Sequence, residues 1–276
     1  MKKVLLLLAF VSVLTSLSAQ KVNETVIIYG KDQLKGFTVN ITGTSASIVA
    51  DALNAKLEKE FSLKGSKKKG FYVYENQPCV AFGDARYDIY FTTADVGKKN
   101  NQFAQVTLVV STGNFNCITF SNDPRTSRNI VAFLENLTND VEKHKATLRI
   151  AELKSQLTTL DKERQSLLKD QAKIQEKLNA GNDEIKRLSD QLDKKNEEIE
   201  KLQDSYNKSH DAAVKEQITA AVKERQTIHK SHNSTQKSLL SLNKDLQKVK
   251  TKLDANQKQI DAAEAEIKSL EHTLEQ

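Results

Sequence analysis

Residues 150–178 read IAELKSQLTTLDKERQSLLKDQAKIQEKL, and the spacing of their apolar side chains decides the architecture of the chain. Ile150, Leu157 and Leu178 fall at position a of a heptad and Leu153, Leu160, Leu167 and Ile174 at position d, with Arg164 and Gln171 as polar intruders. The frame continues through Ile185, Leu192, Ile199 and Tyr206 at a, and Gly181, Leu188, Lys195 and Leu202 at d. Residues recurring every 3.5 positions lie on one stripe of a helix, and covering each large one stabilises by ~1.5–3 kcal/mol. A solitary helix of this length would leave the stripe in water.

After Tyr206 the frame fails, because its next positions are Ser209, Ala213, Glu216, Ala220, Lys223 and Thr227. A second frame takes over, with Ile218, Arg225, His232, Leu239, Leu246, Leu253, Ile260, Ile267 and Leu274 at a. Its d positions are Val214, Ala221, Ile228, Thr235, Leu242, Val249, Asn256, Ala263 and Leu270. The break lies within Ser205–Asp211, where Asn207 suits a left-handed helix end and Ser209 or Asp211 suits the cap of a helix opening at Ala212. We therefore expect an antiparallel hairpin with arms of about 140–206 and 211–276, each about 100 Å long at ~1.5 Å per residue. Folding about residue 210 pairs Ile174 with Leu246, Leu167 with Leu253, Leu160 with Ile260 and Leu153 with Ile267. It also brings Lys195 to Arg225 and Arg164 to Asn256, whereas a fold point displaced by half a heptad sets Leu188 or Leu202 against Arg225. Two other arrangements fit the same pattern: a continuous helix in a parallel oligomer, and a three-helix bundle that also turns near Gly181 and Thr235.

Hairpins of this kind resemble the periplasmic arms of efflux adaptor proteins and the coils of cell-wall hydrolase activators. In adaptors the chain returns to β domains after the hairpin, and in activators a metalloprotease-like domain usually follows; here Leu274 is followed by Glu275 and Gln276.

The chain opens with Lys2 and Lys3, an apolar run from Val4 to Leu14, and the small and polar Thr15–Gln20. This is the tripartite pattern of a secretory signal, expected to occupy residues 1–19 with cleavage after Ser18 or Ala19. The run is too short to span a bilayer comfortably, and no cysteine near the cleavage site supports a lipid anchor. A bacterial export signal places the mature chain in the periplasm or outside the cell; retention as an N-terminal anchor is the alternative. The formal charge of +6 divides into +2 for residues 1–20, +3 for 21–136 and +1 for 137–276. A nearly balanced coil with Lys and Glu interspersed is a solvated flank rather than a polyanion-binding face, and no nucleic-acid motif is present.

Both prolines and eight of the nine glycines precede the coil, which leaves residues 20–135 for one small α+β head. Phe37, Val39 and Ile41 alternate with Thr38, Asn40 and Thr42 between Gly36 and Gly43, a half-buried strand. Thr44 or Ser45 would cap a helix to about Phe61 with Val49, Leu53 and Leu57 on one face. Gly65–Gly70 reads as a loop. Strands are expected at Phe71–Tyr74 and onward toward Val80 and Phe82, at Tyr87–Thr93, Gln105–Thr112 and Asn116–Phe120. Asp123-Pro124 then opens a helix with Ile130, Leu134, Leu137 and Val141 as its stripe, and with no Gly or Pro from Arg125 to Ala180 this helix should run directly into the first arm. The element order, strand, helix, antiparallel strands, helix, resembles the TATA-binding-protein-like or helix-grip group, which implies helices packed on one face of a curved antiparallel sheet.

Cys79 and Cys117, the only cysteines, would in an oxidising compartment either form one disulfide or remain separate buried thiols. The head contains no histidine, so a catalytic thiol has no base beside it. His144, His210, His229, His232 and His272 all lie in the coil; His229 and His232 at i,i+3 lack a third metal ligand and read as a solvated face or wet layer. Asp84, Asp88 and Asp95 fit no calcium-loop spacing and read as surface acids. Lys67, Lys68 and Lys69, together with Lys98 and Lys99, sit in loops that would meet anionic envelope polymers or lipid headgroups, or else be ordinary solvated loops. Tyr72, Tyr74 and Tyr90 are expected to share a sheet face. No nucleophile elbow, zinc-protease motif or phosphate loop occurs. The resulting expectation is a non-catalytic exported scaffolding protein without cofactor or metal, whose helical rod presents the head to a cell-envelope partner or self-associates through the coil. The alternative is a head that binds a small apolar ligand or cell-wall fragment, with the coil as oligomerisation module.

Overall fold

The structure is a computed structural model and describes residues 21–97 and 103–275; the expected export signal lies outside the described residues. The chain divides into two compact units. One runs to Arg149 and includes the C-terminal segment from Leu270, and the other is Ile150–Ser269.

The first unit is an α+β head. Its elements are β1 (Asn23–Tyr29), β2 (Asp32–Thr42), α1 (Ala46–Ala55), β3 (Ser66–Lys68), β4 (Phe71–Pro78), β5 (Arg86–Val96) and β6 (Phe103–Ser111), followed by the start of α2 (Pro124–Ser209). The strands form one antiparallel sheet in the order β1-β2-β6-β5-β4-β3. β6 is the buried central strand, and β1 and β3 are the edges. Alternation along β2 sends Phe37, Val39 and Ile41 to the face that carries the helices. There they pack with Val49, Leu53 and Leu57 of the first helix and Ile130, Leu134, Leu137 and Val141 of α2. Burial of this set is nearly complete, which is what holds α2 to the sheet. Lys56, in a π-helical turn that extends α1 through Glu60, bonds Asp140 of α2 at 2.8 Å.

The opposite face carries a second cluster of Tyr29, Leu34, Phe71, Val73, Tyr90 and Val109. Tyr29 on β1 and Phe71 on β4 have three strands between them, yet their rings are 5.4 Å apart. Flat strands at ~4.8 Å spacing would hold them on the order of 19 Å apart, so the sheet curls over this cluster.

Several expectations are corrected here. β1 was not foreseen, and Gly65–Gly70 is a hairpin rather than a plain loop, because Ser66–Lys68 pair with β4 and the turn residues Lys69 and Gly70 both take positive φ (51° and 83°). Asn116–Phe120 is no strand: Asn114 and Phe115 are left-handed (49° and 55°), and only an isolated bridge joins Ser111 to Cys117. Tyr90 lies on the face away from Tyr72 and Tyr74.

The second unit is a two-helix seam between α2 and α3 (Ala212–Glu275). Both helices are unbroken, so the continuous rod and the three-helix bundle are set aside. Every a and d position of both frames is buried or half-buried except Arg164. The contacts follow the expected register about residue 210. A Cβ placed on Gly181 would sit 2.5 Å from Leu239 Cδ2, so the glycine, which costs a helix interior about 1 kcal/mol, makes room for that leucine. Lys195 and Arg225 do meet in one layer but diverge: Lys195 binds Glu224 (2.7 Å) and Glu198 (2.6 Å), and Arg225 turns to Asn196 (3.5 Å). The pairing of Asn256 with Arg164 is corrected. Asn256 is buried and donates to the Leu160 carbonyl (3.1 Å) and to Glu163 (3.4 Å), while Arg164 points to solvent.

The turn also differs in detail. His210, not Asn207, is the left-handed residue (φ 54°), its N–H bonds the Tyr206 carbonyl, and Asp211 caps α3 by accepting from Ala213 N at 2.8 Å. His210→Gly should therefore raise stability by up to about 1 kcal/mol, measured as the urea midpoint. A decrease would mean that the edge contact of His210 with the Tyr206 ring, at 5.8 Å, outweighs the backbone strain. Asn256 Oδ1 is buried without a partner. Asn256→Leu should accordingly stabilise by about 1–2 kcal/mol in the same measurement while loosening the register, visible as broadened spin-label distances between the arms.

Candidate interaction surfaces

The lysine cluster is built by the β3–β4 hairpin. Its three side chains splay to separate partners: Lys68 to Glu75 at 2.8 Å, Lys67 over the Tyr72 ring at 5.0 Å, and Lys69 over the Tyr29 ring at 4.7 Å. The Glu75 hydrogen bond raises the Lys68 pKa above its ordinary value. Lys98 and Lys99 lie outside the described residues. Lys69 thus closes the end of the curled sheet where Tyr29, Phe71 and Tyr90 meet, whereas Lys67 lies over Tyr72 on the helix-bearing face.

Cys79 and Cys117 are both free thiols, and the structure does not join them. The reason is topological: Cys79 is buried in the core on the helix side, and Cys117 packs against the cluster on the other face. Burial pushes both thiols above their ordinary pKa, the opposite of what an activated nucleophile needs.

Two of the three aspartates are more than surface acids. Asp95 accepts from Ala46 N at 2.8 Å and so does the capping work expected of Thr44 or Ser45, since Ser45 makes no side-chain cap. Asp88 accepts from Asn76 N at 2.7 Å and fixes the irregularity between Tyr74 and Gln77 in β4. Asp84 is exposed. Asp123 caps α2 through Thr126 N, and that bond holds its carboxyl below the usual range.

In the coil, His229 shares a hydrogen bond with Asn233 (3.3 Å) and His232 sits half-buried at a seam position. Among the described residues no three His, Cys, Asp or Glu side chains gather closely enough to hold a metal ion. The polar layer opens into a cleft of about 430 Å³ lined by Leu192, Asp193, Asn196, Arg225, Gln226 and His229. It exists because Lys195 and Arg225 leave the layer on opposite sides.

One polar row was not seen in the sequence. Asn23, Thr38, Thr107 and Thr92 are consecutive partners across β1, β2, β6 and β5, on the face that carries the second cluster. Thr38 donates to the Val106 carbonyl, and Thr107 donates to Thr38 Oγ1 at 3.4 Å. Strand register, not sequence spacing, assembles such a row, so only the pairing itself could have revealed it.

The chain matches no protein-family model and no curated protein. Among the described residues no helix is long and apolar enough to cross a membrane.

Burial raises the pKa of Tyr90 to about 12 and that of Tyr74 further, alongside the two thiols. A group whose folded value is raised stabilises fully below its unfolded value and loses that contribution as pH climbs toward the folded one. The head should therefore weaken from about pH 9, where unfolded thiols ionise, through pH 12, as measured by urea unfolding followed by tyrosine absorbance. A flat profile would show that these groups are solvated in the folded head.

Proposed function

We propose that this protein is a non-catalytic, exported scaffolding component of the bacterial cell envelope, in which the helical hairpin is a spacer and the α+β head engages a protein partner. The observation that carries this reading is the seam itself. Nearly every a and d side chain of α2 from Ile150 onward and of α3 is buried or half-buried along the seam between the two helices. Selection for a long, register-locked hairpin is selection for distance. The head supports the same reading, because its two apolar clusters are filled by its own side chains, with the rings of Phe71, Tyr90 and Phe115 around Tyr29.

We infer further that the head has the helix-grip arrangement. The strand before α1 closes on the last strand, and a long C-terminal helix lies across the sheet, which is the order such a head requires. Export rests on the tripartite pattern of residues 1–20, and Edman sequencing of the protein from its native cell should begin at Ala19 or Gln20.

A second reading is favoured by the half-buried Thr38 and Thr92 of the hydroxyl row on the curled face, which suit a glycan fragment better than an apolar ligand. Native mass spectrometry of the protein purified from its own envelope separates the two. The scaffold reading expects the bare chain mass together with protein adducts after in-cell cross-linking. A copurifying saccharide or lipid would replace it with the ligand-binding reading.

A further inference from the structure

The two edges of the sheet are treated differently. β3 is three residues long and carries Lys67 and Lys68, a short, charged edge of the kind that discourages pairing. β1 is seven residues long, has no Lys, Pro or register shift, and presents Val26 and Ile28 at 55% and 70% exposure. β1 and β2 are joined by the two-residue turn Gly30-Lys31, with Gly30 at φ 69° and Tyr29 opposite Asp32. That closing pair is hydrogen bonded in a two-residue hairpin, so Ile27, Thr25 and Asn23 also bond to β2. The N–H and C=O groups of Glu24, Val26 and Ile28 therefore point away from the sheet, and among the described residues no backbone bond reaches them.

We propose that β1 pairs antiparallel with β1 of a second copy of this chain, about a dyad at Val26, joining two heads into one continuous sheet. The register selects this occupant. Centred on Val26, the whole of Asn23–Tyr29 is paired, Glu24 lies opposite Ile28, and the three outward-facing residues supply all the bonding groups on both sides. Centred on Glu24, two like charges would oppose each other; centred on Ile28, Val26 would run onto the Gly30-Lys31 turn. Because Glu24, Val26 and Ile28 share one face of the strand, the same pairing that satisfies the edge also sets Val26 beside its counterpart and Ile28 diagonally across from that second Val26. Phe120, 44% exposed and tied to Glu24 Oε1 through its N–H at 2.8 Å, flanks the same stripe. This association is separate from any made by the coil.

The test is sedimentation velocity of the purified protein across a wide range of concentration, compared with two variants. Val26→Pro deletes an N–H that the β1–β2 ladder does not use, so the head keeps its fold while the edge loses a central bond. Val26→Lys keeps the backbone and sets two like charges across the dyad. The expected result is a concentration-dependent dimer in the wild type that is lost in both variants, with unchanged circular dichroism. Should Val26→Pro disturb the fold, Val26→Lys alone decides. A wild type that stays monomeric, as it would if the edge takes a foreign strand, overturns the proposal, and so does a dimer that persists in a folded variant.

Discussion

An amphipathic stripe too long to be left in water, with only one other stripe on the same chain to cover it, is the constraint on which this structure depends. Two helices meeting along one line cover each other incompletely, and most seam residues are accordingly half-buried rather than fully enclosed. The buried ones, Ile150, Leu153, Leu167, Leu178, Leu188 and Ile199 on one arm and Ala221, Leu246, Asn256, Ile260, Ala263 and Ile267 on the other, are spread along the length. Stability is thus distributed rather than concentrated, and each layer contributes a modest share of the ~1.5–3 kcal/mol that full burial would provide.

Apolar layers alone would allow the arms to slip by a heptad at small cost, and the polar layers oppose that. Asn256 finds its partner in a main-chain carbonyl of the other helix, at Leu160, so displacing the arms leaves a buried amide with nothing to bond. The Lys195–Arg225 layer acts differently: its cations are tolerable only because Glu224 and Asn196 stand one position away on each side. One device penalises the wrong register, and the other makes a poor layer bearable in the right one. The turn follows from this register, and that is why a histidine can occupy a left-handed position at which glycine would be easier.

The seam was legible in the sequence because a heptad is a local, additive signal repeated many times in each arm. The hairpin, its register and its pairing about residue 210 could all be read from it. What was misread was decided by single residues or by nonlocal pairing. Asn207 and His210 differ by less than a helical turn, and which one turns left depends on where the seam lets go of Tyr206. β1 has the run Val26-Ile27-Ile28 in place of clean alternation, because an edge strand with one exposed face does not need polar residues there if that face is to be covered by something else. β3 is visible only through its partner, and Asn116–Phe120, apolar enough for a strand, fails because the two left-handed residues before it turn the chain out of the sheet. The aspartates show the same limit. Composition marks Asp95 and Asp88 as surface acids, and only the fold shows each aimed at an otherwise unpaired backbone N–H. The disulfide was undecidable for a related reason, since the face taken by Cys79 or Cys117 depends on turns that composition does not fix.

In the head, the same accounting of exposed backbone explains why the two hairpins at the sheet's ends look so unlike. Curling brings the Gly30-Lys31 turn toward Lys69, so that the two turns meet over Tyr29. That end is closed by aromatic rings and cations. Along the β1 edge nothing comparable occurs: two of the three residues whose backbone groups face outward, Val26 and Ile28, also carry exposed side chains branched at Cβ. Two independent demands, for hydrogen bonds and for burial, therefore fall on Val26 and Ile28, and one extended strand lying beside them satisfies both.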